Sequence, residues 1–365
     1  MKRLFAVLLC LSVTPACATT NGKKLVLYEC NCRDTAFYRQ HVKEMEKIPF
    51  DGLVISVMKL KDPDPPDMLG WNTFIRERFQ PKDYQHAIDD LKAVKSKHFT
   101  DNFIQIVAQM GMDWFDTDWP NMAYNAACMA KVAKEGGCKG LMLDAEQYDA
   151  LHMWTYATLP PRLKTAHTFA EYQQKARERG QEFIQAVNKE YPDLTILMLF
   201  GPSLTHMAQG DGKLEDSAYS LLAAFCDGIC EAATPKTTLV DGYEFSYSFK
   251  TREEFVKGRK DIMDSIPKSL NPDALKAHLR VGFGNMPDQS IGAQEFIPDY
   301  PSKNFYTAEQ LRTSLNYALE AADRYAWMYT TRIGWWDGTA AKEYVKALAL
   351  AKKGPAPGGS SGASP

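Results

Sequence analysis

Short apolar runs alternate along this chain with longer stretches in which apolar residues recur every three to four positions. The runs at residues 24–28, 52–57, 103–108, 140–143, 195–200, 239–245, 280–283 and 325–330 are rich in β-branched and aromatic side chains. They lack strict polar alternation, which predicts strands buried on both faces. The periodic stretches predict helices over 35–47, 81–95, 122–135, 169–190, 214–229, 252–265, 308–322 and 340–351. Punctuation supports several of them: Thr168 precedes the fourth helix with Glu171 three residues on, and Gly136-Gly137 ends the third.

Eight strand–helix units in this order predict an α/β fold, a single-domain (β/α)8 TIM barrel over residues 19–351, since about 250 residues is typical and long loops are common. An open doubly wound sheet is the competing architecture. Against it, the first strand runs into Tyr28-Glu-Cys-Asn-Cys32 rather than a Gly-x-Gly-x-x-Gly turn. In a barrel, the chemistry sits at the C-terminal ends of the strands.

The fourth strand ends there in Leu143-Asp-Ala-Glu146. Alternation along a strand turns Asp144 and Glu146 to one face and Ala145 to the other. Two adjacent, partly desolvated carboxyls cannot both ionise easily, so one becomes a proton donor near neutral pH while its neighbour stays charged. Glycosidic bond cleavage uses such a pair. The plain structural alternative is a strand end whose acids cap a helix or bind a Lys or Arg.

Other segments predicted at the same rim carry polar and aromatic residues suited to a carbohydrate cleft. They are Tyr28 and Glu29 after strand one, Trp71 after strand two, Trp114 after strand three and Tyr148 after strand four. Tyr243 follows on strand six, Asn285 on strand seven, and Trp327, Tyr329 and Trp336 on or after strand eight. Trp119, Trp154 and Trp335 read better as loop packing. Glu244 is a third candidate catalytic carboxylate. Strand alternation puts Tyr243, Phe245 and Tyr247 on one face and Glu244 and Ser246 on the other, so the direction of Glu244 stays open.

At Gly140 to Tyr148 the chain resembles the chitinase-like glycoside hydrolases of the eight-fold barrel class, whose fourth strand carries Asp-Gly-x-Asp-x-Asp-x-Glu. Gly140, Asp144 and Glu146 match that pattern, whereas Lys139 and Met142 stand where its first two aspartates fall. The resemblance implies Glu146 as general acid and Asp144 as the group orienting a substrate acetamide. Beside it stands a retaining mechanism in which Glu146 and Glu244, about 5 Å apart, act as acid and nucleophile. A non-catalytic glycan-binding barrel is the alternative from another functional class.

Composition narrows the partners. The formal net charge is −2 with both signs mixed along the chain, which provides no electrostatic footprint for nucleic acid. A neutral oligo- or polysaccharide fits better. Neither the histidines nor the cysteines show metal-ligand spacing, so no metal and no cofactor is expected. Residues 1–18 read as a secretory signal, with a basic start, an apolar run and a small-residue cleavage site, and nothing later is long and apolar enough to span a bilayer. Lipid anchoring of the exported protein at Cys17 is the alternative. The Gly-, Ser- and Pro-rich residues 352–365 read as a disordered tail. Export permits disulfides among the remaining six cysteines, whose pairing the sequence leaves open.

Overall fold

The computed structural model describes residues 22–59, 67–109, 112–148, 151–290 and 295–354. The expected signal and residues 355–365 of the expected tail lie outside the described residues. Strands β1 (Lys24–Glu29), β2 (Gly52–Ile55), β3 (Phe103–Val107), β4 (Gly140–Asp144), β5 (Thr195–Met198) and β6 (Thr238–Asp241) pair in parallel in that order. The seventh strand, β7, runs as two pieces, Leu279–Val281 and Phe283–Asn285, on either side of Gly282. Its first piece pairs with β6, its second with β8 (Tyr325–Thr330), and β8 returns to β1. The sheet therefore closes as an eight-stranded parallel barrel.

Every residue of β3 and β4 is buried, as the largely apolar runs require of strands covered by helices outside and by barrel filling inside. Gly140 opens β4 because the neighbouring chain comes too close for a side chain: a Cβ there would stand 1.9 Å from the Thr195 carbonyl oxygen. Eight helices form the outer layer: α1 (Thr35–Met45), α2 (Pro81–Ala93), α3 (Trp119–Glu135), α4 (Phe169–Glu190), α5 (Leu222–Ala232), α6 (Arg252–Met263), α7 (Ala308–Ala321) and α8 (Lys342–Ala351). In α4 the Thr168 hydroxyl accepts from the Glu171 N–H while the Glu171 carboxylate accepts from the Thr168 N–H. That reciprocal cap satisfies amides the helix itself cannot. Its buried face, Tyr172, Ala176, Phe183, Ile184 and Val187, follows the helical repeat read from the sequence.

Two boundaries differ from the sequence expectations by more than three residues. The fifth helix begins at Leu222, not 214, because Tyr219 takes a left-handed φ of 53° and the chain there is held from elsewhere. The Tyr219 N–H donates to Thr155 Oγ1 and the Leu221 N–H to the Trp154 carbonyl. The sixth strand ends at Asp241, not 245. The Asp241 carboxylate accepts from the Tyr243 N–H at 3.2 Å, Tyr243 turns to a φ of 44°, and Glu244–Ser248 form a short 3-10 helix. Strand alternation does not reach Glu244.

Candidate active site

Asp144 is the last residue of β4 and is buried at the barrel mouth. Its Oδ1 accepts from the Glu146 N–H at 2.8 Å, which bends the chain sharply after the strand and keeps the second acid beside the first. The Tyr148 hydroxyl lies 2.9 Å from Asp144 Oδ2 and also contacts Glu146 Oε2, so both carboxyls face the same space. One hydroxyl has one proton to donate. The second contact is attractive only when a carboxyl there is itself protonated. Burial, aided by the Glu146 charge, pushes Asp144 up to about 7 against the Glu146 amide and the Tyr148 hydroxyl, which pull it down. Near neutral pH the group is therefore divided between its acid and anion forms.

Glu244 joins them from the turn after β6. Burial pushes its carboxyl up to about 8, and the charges of Glu146 and Asp144 add to this while a hydrogen bond with Tyr247 opposes it. Glu244 thus lies within electrostatic reach of the β4 acids, just past the left-handed turn at Tyr243. Tyr243 goes the other way. It is buried, and its hydroxyl donates to Asp261 Oδ2 on α6 at 2.7 Å. The expectation that Tyr243 lines the cleft is corrected on that ground.

Aromatic residues wall the acids. Tyr329 lies 5.3 Å from Tyr28 and stacks at 7° on Tyr247, with ring centroids 6.0 Å apart. The Tyr28 hydroxyl accepts from Gln105 Nε2 at 2.9 Å inside the barrel, and the Asp144 charge reaches it. Trp71 meets Tyr148, the most exposed ring of the group at 46%, with centroids 5.1 Å apart. Trp327 is fully buried beneath Tyr28 and Tyr247, and its Nε1 donates to the Gly242 carbonyl at 2.8 Å. It forms a floor that fixes the Glu244 turn and offers no open face to a sugar. Trp336 Nε1 donates to Glu29 Oε2 at 2.7 Å, which places these two together at the β1–β8 side of the rim.

Two further expectations are corrected. Trp114 has no exposed surface: it stacks on Trp119, packs against Trp154 and donates to the Met153 carbonyl. Asn285 is buried, its Nδ2 donating to Ser314 Oγ on α7 at 3.1 Å. Both positions end in packing behind the rim, since proximity to a strand end in sequence does not fix direction. Trp119, Trp154 and Trp335 are buried as well.

Three residues at the site were not singled out from sequence. Tyr247 follows Glu244 by three residues, and the Asp241-Gly242 pair was the turn signal that gives this spacing its meaning. Tyr219 is bonded to Gln147 and lies under the charges of Glu146 and Asp144; burial pushes it up to about 12. Nothing local announces it. Gln105 sits in the middle of an otherwise apolar strand, a polar residue that a buried run would not carry without a partner. The described residues contain no cluster of metal-ligating side chains, and all six described cysteines are free thiols. No described helix is long and apolar enough to cross a membrane.

Solved (β/α)8 barrels share this architecture. A GH5-4 broad specificity endoglucanase from an uncultured bacterium matches with a TM-score of 0.50 at 11% identity, covering 92% of this chain and 94% of that one. A Bacteroidetes-affiliated GH5 cellulase linked with a polysaccharide utilization locus matches at 0.46 and 9% identity over 92% of each chain. The 3-keto-D-glucoside 4-epimerase of E. coli matches at 0.43 and 13% identity over 90% of this chain and 99% of that one. The endoglucanase likeness, at 11% identity, speaks to the fold alone. No protein-family profile and no curated protein matches the chain.

Proposed function

We propose that this protein is an exported glycoside hydrolase acting on oligo- or polysaccharide by a retaining mechanism. The observation that carries the reading is the convergence of Asp144, Glu146 and Glu244 in one aromatic-walled mouth, with Glu244 pushed up to about 8 by burial and by its acidic neighbours. Among the described residues, the partners of these acids are tyrosine hydroxyls and a backbone amide, not basic side chains. That supports working acids over the glycan-binding alternative, in which an ion pair would hold them.

Burial favours an exchange of the roles expected from sequence. Glu244 holds the proton at neutral pH and is the general acid; Glu146, beside Asp144 and Tyr148, is the attacking carboxylate. As the glycosidic C–O bond breaks, the Glu244 proton passes to the leaving oxygen and a Glu146 oxygen bonds the anomeric carbon. Water then attacks that carbon and releases Glu146, its proton returning to Glu244. Asp144 and Tyr148 orient Glu146 as the bond forms and breaks.

A 2-deoxy-2-fluoro glycoside with a good leaving group tests this by slowing the second step. Intact-mass and peptide mass spectrometry are expected to find one sugar on Glu146. Cleavage of ordinary substrate with no adduct on either Glu146 or Glu244 counts against the retaining assignment.

A further inference from the structure

Beside the acids, beyond Trp71, lies a cavity of about 330 Å³. Ligand pockets run from about 300 to 1,000 Å³, so this one has room for a small ligand portion and not for a long chain. Trp71, Ile75 and Met112 give it apolar walls, while Asn72, Gln109 and the exposed Arg76 supply polar edges. A pyranose has this division of surface: C–H groups on its faces, hydroxyls around its rim.

The cavity lies next to a second, narrow crevice that Glu146 lines. Gln109 borders both this cavity and the narrow crevice at Glu146, Tyr148 and Trp154. Trp71 and Tyr148, tilted 46° to one another, form an aromatic wall that runs from the acids to the cavity. The segments after β2 and β3 line the cavity itself, separate from those that carry the acids.

We infer that this cavity binds a second sugar unit of the same substrate, so that the protein takes a chain of linked sugars across the Trp71–Tyr148 wall rather than a single glycoside. The inference rests on the carbohydrate reading of the site. It assigns Trp71, Asn72 and Arg76 to selection by chain length, apart from bond cleavage.

The test is a binding ladder on the Glu146→Gln protein. Cello-, xylo-, manno- and chito-oligosaccharides of one to six units are titrated by calorimetry and tryptophan fluorescence. In at least one series, affinity is expected to rise tenfold or more between one unit and three. Trp71→Ala in the same background is expected to reduce that ratio at least fivefold, and Arg76→Ala, at an exposed rim position, to reduce it about twofold or more. Affinity independent of length, a ratio unchanged in both variants, or no binding in any series overturns the inference. The readout is separable from catalysis: a length step in a protein that cleaves nothing retains the second sugar position and removes the hydrolase reading, whereas cleavage without a length step does the reverse.

Discussion

Replacing Glu244 by Gln keeps the side chain's size and removes its titration. In the folded protein the Glu244 carboxyl is held at about 8 against an ordinary 4.5. Between these values the folded chain keeps a proton that the unfolded chain has lost, so stability falls as pH rises. The loss has a slope of about 1.4 kcal/mol per pH unit and totals about 5 kcal/mol once pH exceeds about 8. That is comparable to the whole stability of many domains, about 5–15 kcal/mol, so the effect is measurable even if coupling to Glu146 spreads part of it to other groups. The assay is urea denaturation of wild type and Glu244→Gln at each unit from pH 4 to 9. The variant is expected to differ from wild type by a constant amount at the acid end and to gain on it progressively above pH 5, levelling off near pH 8 to 9. Adding Glu146→Gln removes the neighbouring charge and is expected to shift the wild-type transition to lower pH. Parallel stability profiles across this range would refute the claim that Glu244 is held protonated by burial and its acidic neighbours.

Three other outcomes follow from the geometry. Glu146→Gln is expected to lower turnover by at least a thousandfold while preserving glycan affinity within a few-fold, measured by sugar release and calorimetry; near-normal turnover excludes Glu146 from the chemistry. Tyr148→Phe removes a hydrogen bond that holds Asp144 down, so the pH–rate limb that reports Asp144 moves upward, and an unmoved limb contradicts that link. Gly140→Ala forces a Cβ against the Thr195 carbonyl and is expected to cost about 3 kcal/mol or more, the upper end of ordinary substitutions. A urea midpoint equal to wild type would show that β4 and β5 can separate without penalty.

The barrel was legible because its strands are covered on both sides: runs such as Phe103–Val107 and residues 140–143 are apolar but for Gln105, and each is followed by a periodic helix. Asp144 and Glu146 were legible for the same reason, standing where an apolar strand stops at the functional end. Direction beyond the strand ends was harder to read. Tyr243 and Glu244 were assigned faces by an alternation that Asp241 and Gly242 terminate, and the left-handed turn sends one to α6 and the other to the acids. Trp114 and Asn285 are placed by contacts with Met153 and Ser314 far along the chain, and Tyr219 by Thr155. Such contacts are set by tertiary packing and leave no periodic trace in sequence.

The most direct measurement is sugar release by the purified protein from a panel of plant, microbial and animal polysaccharides, with Glu146→Gln and Glu244→Gln assayed beside it. Release from at least one polysaccharide by wild type, abolished in Glu146→Gln and strongly reduced in Glu244→Gln, is the predicted result. Release that persists undiminished in both variants, or no release from any glycan by wild type, would contradict the account.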